Sequence, residues 1–278
     1  MLSVWVRHHL HQTPVSRGLR RVPGARALAE RWWLISQGSA LESALSSIRA
    51  PIGVESDIQR EIDLPTIPEI EGRELTTVEL GDAFSSSMSA WCNTSKFQSL
   101  GYQDVYARVI SHLVDASPRV LEVGIGVNDP SSPSGMEPSH QPGASLVGWA
   151  RFFPRSEVHG ADIDRRVLID TDLYSTHWVD QRDGESLASL ARTVGAPLDL
   201  VVDDGLHTPE ANGLTVAELL PYLSRQGILV VEDILPEYDD LWSQAHRWLP
   251  PHYGAVFYPG KVLRGDRDEG IAVFWRHQ

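Results

Sequence analysis

At 278 residues the chain is long enough for one large α/β core with an extension beside it. Its formal charge of -13 argues against a role in coating nucleic acid. The single cysteine, Cys92, excludes an intramolecular disulfide and a cysteine-based zinc site, and fits a reducing, cytoplasmic setting.

No apolar run approaches the roughly 20 residues of a membrane-spanning helix. The first 29 residues hold Arg7, Arg17, Arg20, Arg21 and Arg26 and no acid. A secretory signal is disfavoured, because no adequate apolar core precedes a cleavage site. The pattern reads as a helical extension docked on the domain or on a second subunit, so a homo-oligomer is expected. A transit peptide, or a membrane-surface helix ending in Trp32-Trp33-Leu34-Ile35, is the other reading.

Residues 24–49 read as helix, ended by Pro51. Residues 51–82, with Pro65, Pro68 and Gly72, read as an irregular linker, and residues 85–96 as a loop. Tyr102 to Val114 has helical spacing at Val105, Val109, Ile110, Leu113 and Val114, stopped by Pro118. Arg119 to Gly126 is the first clear strand with its turn. Val127 to Gly143 is a Pro/Ser/Gly-rich loop of the length that serves as a lid or stays disordered. A helix follows from Ala144 to Phe153, closed by Pro154. Strands are predicted at Val158–Asp164 and Thr176–Asp180, then a helix at Gly184–Val194. Leu198 to Val202 is a fourth strand with the apolar signature of the buried parallel kind. A helix at Thr208–Leu223, a fifth strand at Gly227–Ile234 and a helix at Trp242–Trp248 come next. Gly254–Tyr258 and Gly270–Trp275 form a late antiparallel pair.

Strands alternating with helices predict a Rossmann-like α/β fold: a doubly wound, mostly parallel sheet with an antiparallel closing hairpin. The expected division is a helical extension and linker over 1–84 and the α/β domain over 85–278.

Chemistry gathers at the strand ends, where open α/β sheets bind ligands. Glu122-Val123-Gly124-Ile125-Gly126 follows the first strand. The dinucleotide fingerprint is not met, because Asp129 occupies its third glycine position. Glu122 would repel a pyrophosphate but suit an amino-bearing ligand. Asp162, at the end of strand two, can take the hydroxyls of a ribose, while Asp164 is better placed as a helix N-cap. Asp180-Gln181 closes strand three, where an adenine edge would lie. The fourth strand ends in Asp203-Asp204-Gly205-Leu206-His207 and the fifth in Glu232-Asp233. Like charges so gathered need a cation or protons, and oxygen ligands favour Mg²⁺, Mn²⁺ or Ca²⁺ over zinc.

Taken together, Leu121–Gly126, Phe152-Phe153-Pro154, Gly160–Asp164, Asp180-Gln181, Asp203–His207 and Glu232-Asp233 resemble the class I S-adenosylmethionine (SAM)-dependent methyltransferases. More narrowly, they resemble the metal-dependent sugar O-methyltransferases of macrolide antibiotic pathways. The segment containing Lys96, Tyr102 and Tyr106 is similar to a Thr-Asp-Lys…Tyr…Tyr stretch of that family, with Ser95 where the aspartate stands. The resemblance implies SAM held by Glu122, Gly124, Asp162, Asp180, Gln181 and Asp203, the last facing its amino group. It implies Mg²⁺ or Mn²⁺ on Asp204, Glu232 and Asp233, and His207 as general base. The expected activity is methyl transfer to a sugar hydroxyl of a glycosylated natural product or polysaccharide. A small-molecule or oligosaccharide acceptor is the expected partner, and no nucleic acid. A catechol-type acceptor and a non-catalytic SAM- or nucleotide-binding module are the alternatives.

Overall fold

The computed structural model describes residues 25–52, 69–70, 73–74, 102–114, 116–129, 141–260, 262–263 and 266–277. The predicted 85–96 loop, with Lys96 and Cys92, lies outside them, as does most of the 51–82 linker and the centre of the 127–143 loop. Within the linker, Glu69–Ile70 and Arg73–Glu74 pair as a short antiparallel ladder.

Seven strands build the main sheet: β1 Arg119–Val123, β2 Glu157–Asp162, β3 Ser175–Trp178, β4 Leu198–Asp203, β5 Leu223–Ile234, β6 Tyr253–Tyr258 and β7 Gly270–Arg276. Their order is β3-β2-β1-β4-β5-β7-β6. The first five pair in parallel, and β7 runs antiparallel to both β5 and β6. The closing pair therefore forms as expected, with β7 inserted between β5 and the edge strand β6. Strand order reverses between β1 and β4, the switch point at which α/β sheets open a crevice.

Helices cover both faces. On one lie α1 (Ala25–Ser46), α4 (Gly184–Val194) and α5 (Pro209–Leu219); on the other lie α2 (Tyr102–Val109) and α3 (Ala144–Phe152). Each face has its own apolar layer. Leu121, Val201, Leu229 and Phe274 point into the first, and Val120, Val202, Val230 and Val273 into the second. That alternation is the period-two geometry of strands, and it makes the central runs of β4, β5 and β7 apolar on both sides.

The helix α1 is part of the first layer. Leu41 and Leu45 are fully buried and Ile48 nearly so, each contributing roughly 1.5–3 kcal/mol through burial. Gly213 of α5 permits the approach: a Cβ there would stand 3.1 Å from Leu41 Cδ1 and 3.2 Å from Ala44 Cβ. The Glu210 amide donates to Gln37 Oε1, and the Trp33 indole to the Tyr238 hydroxyl. Trp32, by contrast, is 74% exposed.

Several boundaries differ from the sequence reading. The helix predicted to Leu223 leaves α geometry after Leu219, because Pro221 follows, and β5 begins four residues early at Leu223. The helix predicted to Val114 tightens to a 3₁₀ turn after Val109. The one predicted over Trp242–Trp248 becomes Asp239–Trp242 and a 3₁₀ turn at Ala245–Arg247.

Candidate functional site

The turn after β4 is held by a buried polar network. Asp203 has no exposed surface. Its Oδ1 accepts from Gln181 Nε2 at 2.7 Å and the Gly205 amide at 3.2 Å; its Oδ2 accepts from Asn212 Nδ2 at 3.0 Å. Burial pushes the Asp203 carboxyl up from its ordinary range, opposed by the hydrogen bonds from Asn212 and Gly205. Gln181 also donates to Thr215 Oγ1, and its Oε1 accepts from the Leu206 amide at 2.7 Å. Only this amide orientation satisfies both neighbours, since Leu206 N–H is a donor and Asp203 an acceptor. The network ties β3, β4 and α5 to the Asp204–His207 turn. Thr208 then caps α5, its hydroxyl accepting from the Ala211 amide, with Pro209 in the first turn.

Gly124 has φ 90°, and a Cβ on it would lie 2.5 Å from Gly205 Cα and 2.6 Å from Asp204 C. The bare glycine thus admits the backbone of the β4 turn, and the Asp204 amide donates to Val123 O at 2.8 Å. Glu122 is buried on the α3 side, its Oε2 accepting from Trp149 Nε1 at 3.0 Å. Asp162 accepts from the Ile125 and Asp164 amides, so it fixes the turns after β1 and β2. Asp164 caps the following 3₁₀ turn through the Arg166 amide, as expected. Asp180 pairs with Arg182, whose guanidinium holds its carboxyl below the usual range.

The end of β5 departs from regular strand geometry. Gly270 pairs with Ile234 and Ala272 with Val231, so Glu232 and Asp233 together oppose Ile271. This is a β-bulge. In a flat strand two successive side chains point to opposite faces; after the bulge Ile234 returns to the layer of Leu229 and Val231. Asp233 is the one non-glycine residue with positive φ, 53°, among the described residues. Such strain, about 1–3 kcal/mol, is held at functional sites by its surroundings.

Two tyrosines of α2 meet this bulge. The Tyr106 hydroxyl donates to Glu232 Oε1 at 2.6 Å. The Tyr102 hydroxyl accepts from the Asp233 amide at 3.1 Å and lies 3.2 Å from both Asp233 Oδ1 and Gly270 O. Burial, then the Glu232 charge, push the Tyr106 phenol well above its ordinary range, and Glu122 and Asp204 act in the same direction. The sequence reading placed these tyrosines in a family-like segment without giving them a role; their four-residue spacing on one helix face was a further signal.

Asp204, His207 and Asp233 converge: each offers a ligand atom, and these atoms lie within 4.8 Å of one another. His207 Nε2 is 3.8 Å from Asp233 Oδ2, beyond a hydrogen bond. Its Nδ1 is buried with no hydrogen-bond partner. Of the three predicted cation ligands, Asp204 and Asp233 come together beside His207, the predicted base, and Glu232 turns instead to Tyr106.

No family model matches the chain. It is 36% identical over 120 residues to mycinamicin VI 2''-O-methyltransferase of Micromonospora griseorubida, covering 43% of this chain and 28% of that protein. It is 33% identical over 138 residues to 8-demethyl-8-alpha-L-rhamnosyl tetracenomycin-C 2'-O-methyltransferase of Streptomyces olivaceus, covering 49% of this chain and 34% of that protein. The chain thus spans about a third of the length of these curated relatives. Among solved structures, MycE methyltransferase from the mycinamycin biosynthetic pathway, in complex with Mg, SAH and mycinamycin VI, superposes with a TM-score of 0.53 at 25% identity. That match covers 69% of this chain and 54% of the other. The chain has a class I methyltransferase fold. Within it, the chain resembles the macrolide and glycoside sugar O-methyltransferases. No helix of the methyltransferase fold, among the described residues, is long and apolar enough to cross a membrane.

Proposed function

We propose that the protein is a SAM- and Mg²⁺-dependent O-methyltransferase acting on a sugar hydroxyl of a glycosylated natural product or polysaccharide. The observation that carries this reading is the convergence of Asp204, His207 and Asp233 beside the switch point of a methyltransferase sheet. The similarity to sugar O-methyltransferases supports the acceptor class.

The donor set fits a divalent cation: two carboxylates from different strand ends within ligand reach of each other, beside a third acid, Glu232, on the same bulge. Asp204 and Asp233 would hold the cation, with Glu232 as the further carboxylate. When bound, the cation supplies a Lewis acid that makes an acceptor hydroxyl easier to deprotonate. His207 accepts the hydroxyl proton, and general-base help of this kind is worth about 10²–10⁴ in rate. The methyl group arrives already activated on the SAM sulfonium, so the chain's remaining work is to align oxygen and methyl at near-attack distance. Glu122, Gly124, Asp162, Asp180, Gln181 and Asp203 line or brace the crevice proposed for SAM. Gln181 and Asp203 act there by holding the β4 turn, and Gly124 by admitting it.

Titration calorimetry with SAM, with and without Mg²⁺ and a panel of glycosides, tests the proposal. SAM binding followed by Mg²⁺-dependent glycoside binding is the expected result. His207→Ala is expected to keep SAM binding and lose turnover. No SAM binding under any condition would overturn the reading.

A further inference from the structure

The candidate cation centre has a support on a part of the chain that precedes the sheet. Asp233 of the centre and Glu232, the further carboxylate proposed for it, are consecutive on β5, and consecutive acids on a strand diverge unless something bends the backbone. The bulge supplies the bend, and its strained member, Asp233 at φ 53°, needs a partner for its amide, since β7 offers one residue against two. That partner is the Tyr102 hydroxyl, 3.1 Å from Asp233 N. The same oxygen lies within donating distance of Asp233 Oδ1 and Gly270 O, so one phenol spans the backbone and side chain of Asp233 and the facing strand. One helical turn later, Tyr106 donates to Glu232 Oε1 at 2.6 Å.

Neither ring is free to move. Both are buried, and Tyr106 packs against Trp149, ring centroids 5.5 Å apart. Trp149 in turn donates to Glu122, so α2 and α3 are locked to the strand ends through one contiguous set of aromatic donors. A helix whose sequence reads as an ordinary amphipathic segment thereby delivers two hydroxyls to two adjacent carboxylates more than 120 residues away.

The geometry points to Tyr102 and Tyr106 as positioning residues that set the affinity of the divalent-cation centre, Tyr102 by holding the Asp233 bulge and Tyr106 by orienting Glu232. This rests on the cation centre proposed above. Groups that orient metal-binding carboxylates typically govern affinity by about 10–100-fold. Phenylalanine at either position keeps the ring packing and removes only the hydroxyl.

The test is Mn²⁺ titration of the full chain, followed by electron paramagnetic resonance of free Mn²⁺, for the parent, Tyr106→Phe and Tyr102→Phe. Urea midpoints in the presence of EDTA run alongside. Each variant is expected to bind Mn²⁺ at least tenfold more weakly. A purely structural role would lower the urea midpoint and leave the Mn²⁺ affinity of the folded protein unchanged. Parent-like or tighter Mn²⁺ binding in both variants would overturn the assignment while leaving the cation centre standing. Failure of the parent to bind Mn²⁺ would overturn the centre and the assignment together.

Discussion

Replacing Gly124 by alanine probes the contact on which the site's geometry depends. The residue has φ 90°, a conformation that costs an L-residue about 1–2 kcal/mol. The new Cβ would also meet Asp204 O, Gly205 Cα and Asp204 C, all backbone atoms that no rotamer change can remove. Relieving such overpacking costs about 1–3 kcal/mol. The relieving movement carries Asp204 away from Val123, weakening a 2.8 Å backbone hydrogen bond worth about 1 kcal/mol. These costs overlap, because one displacement serves all of them. Alanine also stiffens the unfolded chain, which favours folding by about 0.4–1 kcal/mol. The strain outweighs that gain, and a net loss of about 2–4 kcal/mol is expected, or roughly 5–15 °C in Tm. Urea unfolding followed by tryptophan fluorescence measures it, and Mn²⁺ titration of the folded fraction should show weakened binding because the Asp204 carboxylate has moved. A variant within about 0.5 kcal/mol of the parent, with unchanged Mn²⁺ affinity, would refute the claim that the β1 and β4 turns share this space.

Two further predictions concern pH. Gln181→Glu places a carboxylate where the amide now donates to Asp203 at 2.7 Å, and two such acids must share a proton. Their folded pKa values rise above the unfolded range near 4, so stability present in acid is lost as pH climbs: the deficit against the parent should grow between pH 5 and pH 8, to about 3 kcal/mol or more. A deficit independent of pH would refute the network. His177 lies 3.0 Å from His159, and burial, then the His159 charge, lower its pKa from the ordinary 6.5. The unfolded imidazole then takes up a proton that the folded one refuses, so this contribution is present above about pH 6.5 and lost below it. His177→Gln should flatten the fall in urea midpoint between pH 7.5 and 5.5; parallel curves for variant and parent would contradict the assignment.

The strands were legible because both faces of the sheet are covered, and burial on both sides leaves an apolar run that no exposed strand would show. Leu200–Val202 and Leu229–Val231 carry that mark. The helix α1 was legible as helix, yet its place in the core rests on Gly213, a residue that weakens a helix locally and is explained only by Leu41 and Ala44 on the other side. Helix ends were less legible wherever a 3₁₀ turn replaced the last α turn, as at Leu220–Tyr222, because apolar residues continue through the change.

At the site, the sequence placed the acids at the strand ends where the structure has them, but not the contacts they make. Gly124, expected to hold SAM, also admits the β4 turn, and Asp203, expected to face the SAM amino group, accepts from Gln181, Asn212 and Gly205. Both facts depend on partners distant in the chain, so no local pattern encodes them. The bulge is subtler. Period-two reasoning assigns Glu232 and Asp233 to opposite faces and would have argued against a shared site. What reconciles the pair is one residue of register lost against β7, together with a phenol from α2 that satisfies the amide left over. Two adjacent acids at a strand end could serve the one cation proposed above only when something else in the chain pins the bulge, and here Tyr102 holds it.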